Sequence, residues 1–252
     1  MPPAGTGRGA VAWEDRGMGD SGAAGGSQTL SRGIRILEIL AASDRALTID
    51  ELAAELGVHR SVAYRLLRTL EHHGLAARDG SGRVGLGPAL AALAYGASRD
   101  LHQAAYPELV SLADELGMTA LIAVLLDGDE AVTLMSASPH GSVGVSYRPG
   151  HRHPITRGAP GKAILMGMPE AAWPADLSAG QRAELVTSVE RGYALSASEV
   201  VPSLHAVSVP LALRDQPAAS LAVIHVELTA PADRIAERLT SAATAIRTAF
   251  GG

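Results

Sequence analysis

The stretch TIDELAAELGVHRSVAYRLLRTL, residues 48–70, decides the fold of the N-terminal part. Thr48 and Glu51 stand at the two positions of a capping box, where each side chain reaches the other's unpaired backbone N–H. Leu47 and Leu52 occupy the positions of a hydrophobic staple, and Ile49, Leu52, Ala53 and Leu56 share one helical face. Gly57 ends that helix. A second helix is expected from about His59 to His73, stopped by Gly74. At 100° per residue, with Val62 set at zero, Val62, Ala63, Leu66, Leu67 and Leu70 fall within roughly 0–140°. Ser61, Tyr64, Arg65 and Arg68 fall at roughly 200–300°, on the opposite face. Helix, glycine turn, helix is the layout of a helix-turn-helix, and the outward face carries a hydroxyl, a phenol and two guanidiniums. Such a face suits a DNA major groove, because Arg bonds a guanine edge bidentately or clamps phosphate.

Before this stretch, Leu30, Ile34, Leu37 and Leu40 recur at helical spacing. After it, Leu75–Arg78 and Arg83–Leu86 flank Asp79-Gly80-Ser81-Gly82 and predict a short hairpin. As a wing, the hairpin would bring Arg78 and Arg83 to the DNA backbone or minor groove. Arg60 falls near the start of the recognition helix, where bases are usually met. A structural helical bundle with a solvated Arg face is the alternative.

Composition agrees with a local rather than a global nucleic-acid surface. The chain has 252 residues and a formal net charge of −5, so it is no basic coat. The absence of Cys excludes disulfides, Cys-ligated zinc, iron–sulfur clusters and a Cys nucleophile. Of the 21 basic residues only Lys162 is Lys, which reads as coding bias first. No apolar run approaches a membrane span, no signal-peptide core is present, and a cytoplasmic location is expected. Residues 1–28 carry eight Gly and few aliphatics, and are expected to be a disordered tail. Met18 is an alternative start.

Pro88 is expected to open an Ala-rich helix with Leu90, Leu93, Ala97 and Leu101 on one stripe. A separate helix, about Pro107 to Leu116, follows. Thr119–Leu126 and Glu130–Ala137 flank Asp127-Gly128-Asp129, a hairpin signal. Residues 142–147 are a third strand candidate. Helices are expected near 161–168 and 179–191, strands at 204–213 and 219–228, and a last helix from Pro231. This order predicts an α+β fold with an antiparallel sheet packed against helices.

Together these residues resemble the IclR family of bacterial transcription regulators. The likeness is carried by Thr29-Leu30-Ser31-Arg32, Ile36–Leu40, Gly57-Val58-His59-Arg60-Ser61, Tyr64–Leu67, Gly74-Leu75 and Gly82-Arg83. Further on it is carried by His153-Pro154-Ile155, Gly161–Leu165, Arg191-Gly192-Tyr193, Glu199 and Val207–Pro210. The resemblance implies a winged helix-turn-helix at 29–87, a linker helix at 88–104, and a GAF-like effector and oligomerisation domain at 105–252. It implies a repressor that binds double-stranded operator DNA as a homodimer or homotetramer, answers to a small organic acid or aromatic, and uses no cofactor, metal or membrane. In relatives that bind small carboxylates, backbone N–H groups before the Gly-Lys pair serve the anion. Here that segment holds Ala159, Pro160 and Gly161, and Pro160 has no N–H. Other pocket positions fall on Ser196, Ala206, Ala222 and Ile224, and are more apolar than a pyruvate-type site, so a larger, partly apolar effector is expected.

Two rivals remain open: an interaction module of the same fold that has lost DNA binding, and a hydrolase or NTPase with a helical accessory domain. Gly158-Ala159-Pro160-Gly161-Lys162-Ala163 lacks the spacing and the Ser or Thr of a phosphate loop. Gly19-Asp20-Ser21-Gly22 sits in the tail, where nothing could align a triad. His140, His151 and His153 make a weak metal set beside the three or four ligands zinc takes. No catalytic residue is expected.

Overall fold

The computed structural model describes residues 27–126, 129–141 and 147–251, with the side chains of 95–98 left aside. The expected tail up to residue 26, the hairpin residues Asp127 and Gly128, and the strand candidate at 142–146 lie outside these. Three helices, α1 (Gln28–Ala42), α2 (Ile49–Glu55) and α3 (Arg60–His72), pack with a hairpin, β1 (Ala76–Arg78) and β2 (Val84–Leu86). Gln28, counted with the tail from sequence, is the first residue of α1, and Ser27 caps it.

The capping box on α2 is complete: Thr48 Oγ1 accepts from the Glu51 N–H, and the Glu51 carboxylate accepts from the Thr48 N–H. The Arg45 side chain, and then Thr48, hold the Glu51 carboxyl down at about 2. Leu47 and Leu52 share one core with Ile36, Leu40, Leu67, Leu70, Ala76 and Val84. Leu47 and Val84 also exchange backbone hydrogen bonds, at 2.9 and 2.7 Å, which tie the wing to the start of α2. The expected apolar stripe of α1 needs correction. Gly33, Ile36 and Leu40 are buried, whereas Leu30 and Ile34 face outward, 63% and 49% exposed. The helix carries two apolar stripes, and the domain core takes the one containing Ile36.

A single helix, α4 (Ala89–Leu116), replaces the two that were expected. Pro107 sits inside it, removing one N–H without ending it. Its neighbours explain the tolerance: Leu101, Ala105, Leu109 and Leu112 are all buried in the second domain. The first half is more open, with Leu93 62% exposed.

The C-terminal sheet contains β3 (Thr119–Leu126), β4 (Glu130–Ala137), β5 (Arg152–Pro154), β6 (Ala194–Ala197), β7 (His205–Leu211) and β8 (Ala219–His225). Its order is β5-β4-β3-β8-β7-β6, with every pair antiparallel. One face packs α4 and α7 (Ala232–Ala249) through Ala120, Ile122, Val207, Val209, Leu221 and Val223. The other packs α5 (Gly158–Met166) through Leu121, Ala123, Ala206, Ala222 and Ile224. With both faces covered, β3 is apolar at almost every position rather than alternating. Beyond α5 lies α6 (Ala179–Arg191), capped by a second box from Ser178 and Gln181. Arg152 on β5 bonds Glu130 at 3.1 Å and reaches Glu38 of α1 at 3.5 Å. No helix among the described residues is long and apolar enough to cross a membrane.

Candidate functional site

The outward face of α3 is as its periodicity requires. Ala63, Leu66, Leu67 and Leu70 are buried, Val62 is half-buried, and Ser61, Tyr64, Arg65 and Arg68 are exposed. The seven candidate DNA residues then divide by what already holds them. The guanidiniums of Arg65 and Arg68 make no ion pair or hydrogen bond among the described residues. Tyr64 is 45% exposed between them and the wing. Arg60 bonds Asp50 of α2 at 3.1 Å, and Ser61 meets the His59 ring at 3.0 Å. Arg78 is held at 2.6 Å by Glu71 near the end of α3, and Arg83 by the Ala46 carbonyl at 3.4 Å and Glu51 at 3.8 Å. The two wing arginines therefore brace the hairpin against α3 and α2. Between α3 and the wing an open cleft of about 670 Å³ is lined by Tyr64, Arg68, Glu71, Ala77, Arg78 and Pro88.

The second site lies under α5. Strand register places Ser196, Ala206 and Ile224 in one row across β6, β7 and β8, directly opposite one another. Ala222 sits in the next row, opposite Ser208. The row borders a void of about 20 Å³ also lined by Tyr147, Gly158, Pro160, Glu199, Val200, Val201 and Leu204. That is room for a single water. Four of the seven candidate effector residues line it: Pro160, Ser196, Ala206 and Ile224. Ala222 is packed in the core against α5. Gly161 is there for close approach, since a Cβ on it would lie 2.3 Å from the Ile155 carbonyl oxygen.

The start of α5 has no donor to spare. A helix leaves its first four N–H groups unpaired. Here Arg157 N–H bonds the Pro154 carbonyl at 3.0 Å, Gly158 N–H the Glu199 carboxylate at 2.9 Å, and Ala159 N–H the Ser196 hydroxyl at 2.9 Å. Pro160 has none to give. Ala159, expected to offer its amide to a ligand, has it engaged by another of the candidate residues. Glu199 turns its other oxygen to Lys162, 2.6 Å away, and Lys162 also bonds Glu184 at 2.5 Å and the Leu195 carbonyl at 3.0 Å. The ammonium is only 3% exposed, while Glu184 and Glu199 keep 45% and 31% of their side chains in water. The Arg157 guanidinium grips the Glu199 carbonyl. Ser198 and Ser203 adopt positive φ, 56° and 64°, at the two ends of the turn that presents Glu199. Left-handed backbone at a non-glycine costs roughly 1–2 kcal/mol per residue, so this turn is held by its contacts.

Tyr147 closes the far side, its ring 4.3 Å from that of His151. Burial raises the Tyr147 phenol above its ordinary range and lowers His151 and His153 below theirs. His153 Nδ1 donates to the Pro154 carbonyl at 3.0 Å, whereas His151 Nδ1 is buried without a partner among the described residues. His140 pairs with Asp114 instead, at 2.9 Å. Among the described residues no group of three or more His, Asp or Glu could hold a metal. Sequence reasoning missed Tyr147, Val200, Val201 and Leu204, and did not assign Glu199 to the pocket. Tyr147 and Leu204, expected at strand ends, lie outside the observed strands, and loop residues such as Val200 and Val201 carry no periodicity by which to place them.

Residues 29–80 match the family model of the IclR helix-turn-helix domain. The chain is similar to the IclR family, in this helix-turn-helix domain and along most of its described length. It is 31% identical over 168 residues to the HTH-type transcriptional regulator TtgV of Pseudomonas putida, a match covering 66% of this chain and 64% of TtgV. The aligned part thus spans just under two thirds of that IclR relative. The crystal structure of an IclR transcriptional regulator from Alicyclobacillus acidocaldarius is 26% identical, with a TM-score of 0.79 over 90% of this chain and 100% of that one. An IclR homologue from Microbacterium hydrocarbonoxydans, complexed with 4-hydroxybenzoate, shares the fold at 22% identity. Its TM-score is 0.74 over 88% of this chain and 98% of that one. These IclR relatives are regulators rather than enzymes.

Proposed function

We propose that the chain is a sequence-specific DNA-binding transcriptional regulator whose grip on double-stranded operator DNA is set by a small organic effector. The observation that carries the reading is the α3 face, where Tyr64 and the unengaged Arg65 and Arg68 stand beside a braced wing. Arg60, Arg78 and Arg83, held by acidic or carbonyl partners, and Ser61, held by the His59 ring, frame that face, and phosphate contacts can replace those partners. The reading divides the chain into a winged domain at 29–87, a linker at 88–104 and an effector domain from 105.

A second copy supplies the other recognition helix, because a palindromic operator asks for two. The outward Leu30 and Ile34 of α1 and Leu93 of α4 are the apolar surface suited to that pairing. The 4-hydroxybenzoate complex of the Microbacterium relative supports an effector of that size beside Pro160, Ser196, Ala206 and Ile224. A void of about 20 Å³ must open to admit it, so binding selects a different arrangement of the 198–204 turn and Tyr147. Repression relieved by the effector is the simplest sign of control.

The test is fluorescence anisotropy at fixed, near-physiological salt, with the DNA upstream of the chain's own gene and a scrambled duplex of equal composition. Binding about 10³-fold or more tighter to the native duplex supports the reading. Equal, weak binding to both, and to duplexes selected from a random library, refutes it and favours an interaction module.

A further inference from the structure

We propose that Arg152 and Glu38 form a latch between the two domains. The pair docks α1 of the winged domain on the edge strand that leads into the pocket, and so ties the posture of the recognition helix to that strand. The inference rests on the reading of the two domains as DNA reader and effector site, and names the contact through which one acts on the other.

The helix α4 is the covalent link between the domains. Among the described residues, Arg152–Glu38 is the one ion pair or hydrogen bond that joins residues 27–87 to residues 105–251. The apolar cores are separate: that of the winged domain has no member after Val84, and those of the sheet none before Leu101. Each partner is oriented by a neighbour in its own domain. Glu130 on β4 holds the Arg152 guanidinium at 3.1 Å, and Arg35 on α1 holds the Glu38 carboxylate at 3.0 Å. The four groups alternate in sign along a row that crosses between the domains at 3.5 Å. Arg152 and Glu38 are sheltered in part, 26% and 35% exposed, so their attraction is screened less than in open water. Glu38 lies between Ile36 and Leu40, which share a core with Leu67 and Leu70 of α3, so α1 and the recognition helix move as one body. On the other side, β5 is three residues long and stands between two pocket-lining residues, Tyr147 before it and Gly158 after it. Strand alternation sends Arg152 and His153 to opposite faces. His153 is buried against the start of α5, its Cε1 3.5 Å from where a Cβ on Gly158 would lie. The Tyr147 ring is 4.3 Å from that of His151, next to Arg152. A shift of either pocket wall therefore bears on β5, and through Arg152 on α1.

The chain contains no Cys, so introduced cysteines are labelled alone. Gly80→Cys on the wing turn and Gln216→Cys between β7 and β8, both exposed positions, put one spin label on each domain of the full-length protein. Double electron–electron resonance reads the distance between them, with labelled chains diluted in excess unlabelled protein. Arg152→Gln and Glu38→Gln are each expected to raise the population outside the wild-type distance by about two- to fivefold, the range of a part-exposed ion pair. The double variant is expected to match either single one, because each has already broken the same contact. Arg35→Gln removes a guanidinium that pairs with Glu38 inside α1, and is expected to leave the distances as they are. In protein labelled with ¹⁵N-glycine, Glu38→Gln is expected to shift the Gly158 amide resonance in the pocket wall, and Arg35→Gln is not. Single variants like wild type, effects that add in the double variant, an Arg35→Gln effect equal to that of Arg152→Gln, or a Gly158 amide unmoved by Glu38→Gln each overturns the proposal. None of these readouts involves DNA or an effector. A missing latch therefore sinks this inference alone, and loss of specific DNA binding sinks the regulator reading alone.

Discussion

Arg65→Ala and Arg68→Ala should each weaken operator binding sharply while leaving the domain as stable as before. Both side chains are exposed and without partners among the described residues, so truncation breaks nothing within the fold. Alanine is also the better helix former. A guanidinium bonded bidentately to guanine contributes about 1–3 kcal/mol per site, which is roughly 5- to 150-fold in affinity. If the contact is to phosphate instead, the loss spreads over all sequences, and the slope of log K against log salt falls by about 0.9 per recognition helix. Arg78→Ala is the internal control. Its guanidinium is held by Glu71 at 2.6 Å and by the Gly82 carbonyl at 3.4 Å, so the first consequence is a looser wing. A half-exposed pair of this kind is worth up to about 1 kcal/mol of stability, and affinity should fall less than for Arg65. Anisotropy titrations at three salt concentrations, with circular-dichroism melts of the same samples, separate the cases. Arg65→Ala and Arg68→Ala both binding like wild type, with Arg78→Ala impaired, would refute the assignment of the contacting face.

Thr48→Ala removes the capping box of α2 and should cost about 1 kcal/mol, lowering the N-terminal melting transition by roughly 4–8 °C. An unchanged transition would mean that the staple alone fixes the turn. Lys162→Met leaves Glu184 and Glu199 without their cation. Because both carboxylates reach water, the cost should sit below the roughly 3–5 kcal/mol of a fully buried pair, at about 2–3. That corresponds to a fall of roughly 5–10 °C in the C-terminal transition, and a change under about 2 °C would contradict it. Gly161→Ala puts a methyl 2.3 Å from the Ile155 oxygen and should destabilise by at least the roughly 1–3 kcal/mol of overpacking, read as a lower urea midpoint. Burial holds His151 and His153 neutral in the fold, whereas the unfolded chain protonates them near pH 6.5. The unfolded state then binds more protons as pH drops below about 6.5, so stability falls with falling pH. A His151→Phe, His153→Gln variant should show a shallower decline in urea midpoint between about pH 7.5 and about pH 5. Parallel curves would refute the cause.

The helix-turn-helix was legible because its signals are local: a capping box, a terminating glycine and a 3.6-residue stripe all fall within residues 48–70. The outer helix α6 and the strands β3 and β4 were equally plain, and their expected limits are the observed ones. What escaped was set by distance in sequence. β5 and β6 have three and four residues, too few to show a period, and exist because β4 and β7 offer edges. The bridge between Leu47 and Val84 joins residues 37 apart with no marker on either. Pro107 was read as a helix start, its commonest place, but burial on both sides outweighs the lost hydrogen bond. In the pocket, Ser196, Ala206 and Ile224 were placed by family position and share one row by register. The role of Glu199 depends on a turn with two positive φ angles, which no pattern of apolar residues foretells.

The proline inside α4 has a mechanical consequence. Arg238 of α7 clamps the helix only beyond it, bonding Glu115 at 2.6 Å and Ser111 at 3.3 Å and facing Glu108 at 4.0 Å. Before it, the carbonyl of Gln103 has no N–H to receive, so the turn 103–107 lacks one rung of the helix ladder, while Leu101 and Ala105 still pack in the second domain. From there to Ala89 is about 21 Å of helix at 1.5 Å per residue. A bend of about 10° at Pro107 therefore swings the winged domain by roughly 4 Å, close to the ~3.4 Å step between base pairs. If the chain reads a paired operator as proposed, a small bend beside Leu101 and Leu109 would be geared up to the unit in which that operator's spacing is counted.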